Sequence, residues 1–165
     1  MKKRRLEMQK KKAKQYAHLR DEQFSLFENY ARQNGINSKF LLVFKWIYNN
    51  PQGITQEFIC KQTYFSKQVI QSIVKNYMGK GWLYLEAIPN DKRRKLVRMT
   101  DLGAKELAAL IEPLSIIEAK AMSVLTKEQQ KALLEATQIF TKEFKELLDS
   151  RHAAQNNQMS WKLVK

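Results

Sequence analysis

The stretch GWLYLEAIPNDKRRKLVRMTDLG, residues 81–103, decides the fold that this sequence predicts. Residues 82–88 and 95–100 favour β-strands, and the Pro, Asn and Asp at 89–91 favour a turn between them. Four consecutive cations at 92–95 lie at the tip of this hairpin and on its outgoing strand. Because no protein core holds four adjacent unpaired charges, the tip must project into solvent or against an anion.

Two helical patterns with a short turn between them precede the hairpin. Thr55 is a suitable N-cap for a short helix that runs to about Gln62, and residues 63–65 form the turn. Ser66 is the next N-cap, and a second helix runs from residue 67 to the glycines at 79 and 81. Two helices joined by such a turn, followed by a basic hairpin, predict a winged helix-turn-helix.

The second helix has an apolar stripe and a polar stripe. Apolar residues recur at i, i+3, i+4 and i+7, which predicts that they are buried: Ile70, Ile73, Val74 and Tyr77. The polar stripe consists of Lys67, Gln68, Gln71, Ser72 and Lys75. No Asp or Glu occurs between residues 66 and 81, whereas a solvated helix surface usually mixes both signs. Such a stripe suits a phosphate-lined groove, where glutamine can read adenine edges.

The spacing Asp91-x-Arg93-x-x-x-Val97-x-Met99-Thr100-x-x-Gly103 resembles the wing signature of the MarR (multiple antibiotic resistance regulator) family, with Met99 where leucine is usual. The resemblance covers residues 54–103 in motif and extends to about residue 148 in layout. It implies a transcription regulator, most often a repressor, whose first and last helices pair between two subunits. It also implies release from DNA by a phenolic or other small-molecule effector, whose identity the sequence does not reveal.

Two further helices are predicted in the part of the chain that precedes the helix-turn-helix. A helical pattern over residues 15–34 ends at Asn34-Gly35, as a C-cap would. Residues 38–49 form a short, heavily buried helix with Ser38 as a suitable N-cap. Its aromatic side chains are expected to pack in the core rather than line a ligand pocket: Phe40, Phe44, Trp46 and Tyr48.

Two further helices are predicted after the hairpin. Thr100 caps the first, and Pro113 should kink or split it, because proline lacks an amide donor. A capping box at residues 126–129 starts the second, which ends near Ser150. Residues 151–165 are polar and are expected to be poorly ordered.

The predicted fold class is mainly α with a small β-wing. The parts are a basic N-terminal arm at 1–14, dimerisation helices at 15–37 and 104–150, a winged helix-turn-helix at 38–103 and a polar tail at 151–165. The terminal helices carry apolar stripes that one small domain would struggle to bury, which favours a homodimer on a palindromic site. The alternative is that these helices cap a larger monomer.

The charge of the chain is concentrated in two segments. Residues 1–14 and 61–100 each carry a net charge of +7, whereas the remaining segments sum to zero, giving +14 overall. A merely solvated surface would spread this excess, so a polyanionic partner is favoured. The segment 1–14 is either a solvated helix start or an arm on DNA phosphates.

The polar stripe is predicted to bind double-stranded DNA. Lys67, Gln68 and Gln71 face base edges in the major groove under this hypothesis. Ser66 and Lys75 bind the flanking phosphates, which position the helix without reading sequence.

The hairpin is predicted to contribute through its cations. Arg93 enters the minor groove, where a narrow A·T tract concentrates negative potential. Asp91 is expected to orient Arg93, because an acid that pointed at DNA would be repelled. Lys92, Arg94 and Arg98 are expected to add attraction that does not depend on sequence.

No residue pattern typical of a metal site, a cofactor or an enzyme is visible. His18 and His152 have no cysteine or carboxylate at metal-ligand spacing, so no metal is predicted. Cys60 has two interpretations, a buried and inert side chain, which is favoured, or an oxidation switch. A single cysteine and no apolar run near the roughly 18 residues of a membrane span predict a cytoplasmic protein without membrane contact.

Two alternative functions are compatible with the same residues. A winged helix can act as a protein-interaction module without sequence-specific DNA binding, although the acid-free stripe argues against this. An enzyme or small-molecule-binding protein with an incidental basic surface is the second alternative, and no motif supports it.

Overall fold

The fold is that of a computed structural model, which describes residues 2–89 and 91–162; the side chains of Lys2, Lys92 and residues 155–162 lie outside that description. The elements in chain order are α1 (Lys2–Gln33), α2 (Ser38–Tyr48), β1 (Ile54–Thr55), α3 (Gln56–Thr63), α4 (Lys67–Gly79), β2 (Leu83–Ile88), β3 (Asp91–Met99), α5 (Asp101–Ser123) and α6 (Lys127–Lys162). This mainly helical fold with one small sheet confirms the predicted fold class. Within the described residues, no helix is both long enough and apolar enough to cross a membrane.

The helix-turn-helix forms where the sequence predicts it. Thr55 caps α3 by accepting a hydrogen bond from the amide of Phe58 at 3.1 Å. Ser66 caps α4 in the same way, with the amide of Val69 at 3.4 Å. The predicted apolar stripe of α4 is buried, and its Tyr77 ring packs edge-on against Phe44 of α2 with centroids 4.6 Å apart. The buried face therefore fixes which side of α4 is left exposed.

The sheet has three antiparallel strands in the order β1-β3-β2. The sequence pattern does not predict β1, because two residues are too few to show the alternation of a strand. Pairing of Ile54 with Val97 and of Thr55 with Leu96 creates it. β3 begins at Asp91 rather than at residue 95, so the whole basic run lies on the outgoing strand, where the sequence predicts only part of it. The predicted turn residue Asn90 lies outside the described residues.

The start of α2 differs from the prediction. Asn37, not Ser38, is the N-cap, and its Oδ1 accepts a hydrogen bond from the amide of Lys39 at 2.8 Å. Asn37 has the extended backbone that an N-cap requires, with φ −81° and ψ 144°. Ser38 already lies inside the helix, and its Oγ donates to Oε1 of Glu28 at 3.2 Å. The hydroxyl therefore links α2 to α1 instead of capping.

The first helix is continuous from Lys2, so the predicted arm at 1–14 and the predicted helix at 15–34 are one element. α1 ends at Gln33, next to the predicted C-cap at Asn34-Gly35. Gly35 has a φ of 70°, which lets the amide of Ile36 donate to the carbonyl of Ala31 at 3.0 Å.

The last two helices correct two boundary predictions. α5 runs unbroken through Pro113, so of the two predicted outcomes, a kink or a split, the split is wrong; proline removes one hydrogen bond, and the helix continues on either side of it. α6 starts at the predicted capping box, where the amide of Gln129 donates to Oγ1 of Thr126 at 3.2 Å. It continues to Lys162 instead of ending near Ser150, because residues 151–162 contain no proline or glycine. Residues 163–165 lie outside the described part of the chain.

The chain divides into two compact units between Ser115 and Ile116. The first unit contains the core, in which the side chains of α2, α3, α4 and the sheet meet Leu107 and Ile111 of α5. In the second unit, large apolar side chains of α6 are exposed: Leu133, Leu134, Ile139, Phe140, Phe144, Leu147 and Leu148. Ile117 of α5 is exposed as well.

Candidate nucleic-acid interface

The exposed side of α4 carries every residue predicted there. Ser66, Lys67, Gln68, Gln71 and Lys75 are all exposed. Within the described part of the chain, no hydrogen bond or ion pair engages the side chains of the two lysines and two glutamines. These donors and acceptors are therefore available to a ligand. Their contact with DNA stays a prediction.

The turn between α3 and α4 presents one residue that the sequence pattern does not single out. Tyr64 adopts a left-handed backbone with φ 57°, and 72% of it is exposed. Thr63 stabilises the turn because its Oγ1 donates to the carbonyl of Ile59 at 2.8 Å and accepts from the amide of Phe65 at 3.3 Å. The sequence gives only a weak signal for this residue, which is its place in a three-residue turn before a Ser N-cap.

The wing contains a bulge of basic residues. The register of the hairpin changes from Ala87 opposite Lys95 to Ile88 opposite Asp91, so residues 92–94 protrude from the ladder. We call residues 92–94 the wing bulge. Lys92 lies in β3, but its side chain is outside the described residues.

Asp91 organises the wing bulge through both carboxylate oxygens. Oδ1 accepts hydrogen bonds from the amides of Arg93 and Arg94 at 3.0 and 3.1 Å. Oδ2 accepts from Nε of Arg94 at 2.5 Å. The Arg94 guanidinium, and after it the two amides, hold the pKa of the Asp91 carboxyl below its usual range. The sequence predicts that Asp91 orients Arg93; the structure shows that its side-chain partner is Arg94, and that it reaches Arg93 only through the backbone.

Arg98 is also engaged within the protein. Its Nε lies 2.5 Å from Oε2 of Glu86 on the neighbouring strand, and both side chains are partly exposed. The angles of this contact are not those of a hydrogen bond, so charge attraction holds the pair. A Cβ at Gly53 would lie 2.8 Å from Cγ of Arg98, which shows how closely the side chain packs on that turn. Its positive charge is therefore shared with a carboxylate of the protein, and its attraction to DNA stays a prediction.

The Thr100-x-x-Gly103 part of the wing signature joins α5 to the end of the helix-turn-helix. Thr100 caps α5, because its Oγ1 accepts from the amide of Gly103 at 3.0 Å, and the same hydroxyl donates to the carbonyl of Gly81 at 2.6 Å. A Cβ at Gly103 would lie 1.8 Å from the carbonyl oxygen of Trp82. Only glycine allows this approach of α5 to the residue that precedes β2.

Three other features bear on a possible site: the cysteine, the potential metal ligands and a surface groove. Cys60 is a free, partly buried cysteine that packs against the core. No group of three or more His, Cys, Asp or Glu among the described residues could hold a metal ion. An open groove of about 490 Å³ lies in the first unit and is lined mainly by polar residues: Ser25, Glu28, Asn29, Arg32, Ile36, Asn37 and Ser38.

The winged part of the chain matches a known family. The model of the MarR family matches residues 35–94, which include α2, α3, α4, β2 and the wing bulge. No curated protein matches the sequence of this chain.

Solved structures share the fold over most of the chain. A MarR family regulator from Neisseria meningitidis is 16% identical with a TM-score of 0.73, covering 85% of this chain and 98% of its own. The MepR–DNA complex from Staphylococcus aureus is 20% identical with a TM-score of 0.62, covering 77% and 97%. The PcaV transcriptional regulator from Streptomyces coelicolor, in complex with its natural ligand, is 18% identical with a TM-score of 0.60, covering 76% and 91%. At these identities the likeness establishes the fold.

Proposed function

We propose that this chain is a transcription regulator of the MarR family that binds double-stranded DNA sequence-specifically; the family match at residues 35–94 and the shared fold support the proposal. α4 enters the major groove as the recognition helix, and the wing lies in the adjacent minor groove. In this proposal the protein acts as a homodimer on a palindromic operator, most simply as a repressor. MepR, solved in complex with DNA, has the same fold.

The observation that carries the proposal is the exposed, acid-free surface of α4. Lys67, Gln68 and Gln71 lie on it in open positions, and the buried stripe below holds the helix rigidly. The N-cap at Ser66 adds the positive end of the helix dipole to the same edge, which favours phosphate. A protein-docking surface would be expected to contain an apolar centre, and this stripe has none.

Dimerisation is proposed from the terminal helices. Leu19, Phe24 and Leu26 of α1 are exposed in the first unit. In the second unit the Phe140 and Phe144 rings stack with centroids 5.7 Å apart, yet both side chains are exposed. Exposed apolar surface of this extent is unusual for a monomer and is stabilised when a second copy covers it.

Release by a small-molecule effector is proposed from a related fold and from a groove in the first unit. PcaV, which shares the fold, was solved with its natural ligand. The groove near Arg32 and Asn37 is lined mainly by polar groups, so it suits a small polar or charged ligand better than a phenol. A phenolic effector would need a site completed by the second copy.

The experiment that tests the proposal is selection of bound sequences from a random duplex pool, followed by a binding assay at moderate salt. Enrichment of one palindromic sequence supports it. The rival function, a winged helix that acts only as a protein-interaction module, predicts no enrichment and equal weak affinity for all duplexes. That outcome would overturn the proposed function.

A further inference from the structure

The cationic side chains of the wing differ in whether they form an ion pair with a carboxylate of the protein. Arg94 shares an ion pair with Asp91, whose side chain is only 26% exposed. Arg98 is paired with Glu86. Arg93 and Lys95 are exposed, and neither makes an ion pair within the described residues. The four arginine and lysine side chains therefore fall into two groups.

A second carboxylate reinforces the pairing of Arg94. Asp91 raises the pKa of the Arg94 guanidinium most, and the negative charge of Glu57, on α3, adds a smaller effect in the same direction; Glu57 is itself held by Lys61 through an ion pair at 2.8 Å. A phosphate that approached Arg94 would therefore meet the Asp91 carboxylate, which already engages the guanidinium.

Asp91 connects the Arg94 side chain to the backbone of the wing bulge. The same carboxylate that binds the Arg94 side chain accepts the amides of Arg93 and Arg94. Residues 92–94 protrude from the ladder, so these side-chain bonds replace the ladder bonds that would otherwise hold them. The direction in which Arg93 leaves the strand depends on this carboxylate.

We propose that the wing divides its arginines between two tasks: Arg94 is a positioning residue that holds the wing bulge through Asp91, and Arg93 is the guanidinium that contacts DNA. This inference rests on the proposed DNA-binding function. It departs from the sequence-based expectation that Arg94 attracts DNA directly. Arg98 is also paired with a carboxylate, that of Glu86, but it does not contact Asp91.

The test compares Arg93→Ala with Arg94→Ala on the selected operator duplex across a salt series. Loss of a DNA-binding cation flattens the dependence of log K on log salt by about 0.9 for each phosphate that the protein no longer neutralises. We therefore expect a flatter slope for Arg93→Ala. Arg94→Ala keeps the wild-type slope and lowers affinity by a similar factor at every salt concentration. If Arg94→Ala flattens the slope as Arg93→Ala does, the division is overturned while DNA binding itself stands.

Two further measurements separate positioning from direct DNA binding. In an Asp91→Asn background, Arg94→Ala should cause little additional loss of affinity, whereas Arg93→Ala keeps its full effect. In the free protein, Arg94→Ala should speed amide hydrogen exchange at residues 93 and 94, and Arg93→Ala should not. Unchanged exchange in Arg94→Ala would contradict the positioning role without reference to DNA. A wild-type protein that shows no salt-dependent binding to any duplex would overturn the proposed function and this inference together.

Discussion

The winged helix and the terminal helices differ in how far their apolar residues are buried. In the winged helix, Phe44, Ile59 and Val97 are fully buried, each against partners from other elements of the same unit. In α6, Phe140, Phe144 and their apolar neighbours along the helix are exposed. The winged helix is complete within one chain, whereas the terminal helices leave apolar surface exposed, which the second copy would cover in the proposed dimer.

Stability and assembly are therefore expected to depend on separate parts of the chain. Substitutions in the winged helix should alter folding or DNA recognition without altering the oligomeric state. Changes in the terminal helices should alter assembly first.

Removal of residues 127–165 should have the largest effect, because it deletes the exposed apolar surface of α6. We expect the micromolar dimer to be lost or the chain to unfold, and operator binding to disappear with it. Analytical ultracentrifugation and far-UV circular dichroism distinguish these two results. A full-length protein that sediments as a stable monomer would show that the terminal helices do not mediate assembly.

Gly103→Ala should destabilise the winged helix strongly, because the new Cβ would lie 1.8 Å from the Trp82 carbonyl oxygen. The free energy of unfolding should fall by about 3 kcal/mol. Gly79→Ala is the matched control, since a Cβ there meets nothing within 4 Å. It should be neutral or stabilise the helix by about 0.5–1 kcal/mol. Urea denaturation of both variants measures the difference, and equal stabilities would contradict the described packing of α5 against Trp82.

Gln71→Ala and Lys67→Ala should weaken discrimination among operator variants while leaving stability and dimerisation unchanged. The expected loss is about 1–3 kcal/mol for each bidentate interaction with a base that the substitution removes. Lys142→Ala, an exposed lysine of α6, serves as the control for loss of charge alone. If both α4 variants keep the affinity and the preferred sequence of the wild type, the exposed stripe does not read bases.

Removal of residues 2–14 should have the smallest and least specific effect. Residues 3–14 are exposed and carry most of the cations of α1, but they do not pack on the core. We expect equal loss of affinity for operator and scrambled duplexes, greatest at low salt, and a salt slope flattened by about 0.9 for each phosphate that is no longer neutralised. Loss of operator preference with unchanged affinity for scrambled DNA would show instead that this segment reads sequence.

Features whose interacting groups lie within a few residues of each other could be predicted from the sequence alone. The cap of α4 joins Ser66 to Val69, and the capping box of α6 joins Thr126 to Gln129. The buried stripe of α4 repeats once per helical turn, so its spacing is visible in the chain. The resemblance to the MarR family implied helices on both sides of the winged helix-turn-helix, and the order of helices and strands confirms that layout.

Pairings between distant residues, and choices between similar neighbours, depend on the tertiary structure. Ile54 becomes a strand residue only because Val97 lies beside it. Asn37 and Ser38 are both good N-caps, and the extended backbone at Asn37 selects between them. Arg93 and Arg94 are chemically identical, and only the path of the bulged strand brings Arg94 to the Asp91 carboxylate. Local propensity cannot separate such neighbours, because the energy that selects one of them arises from the rest of the fold.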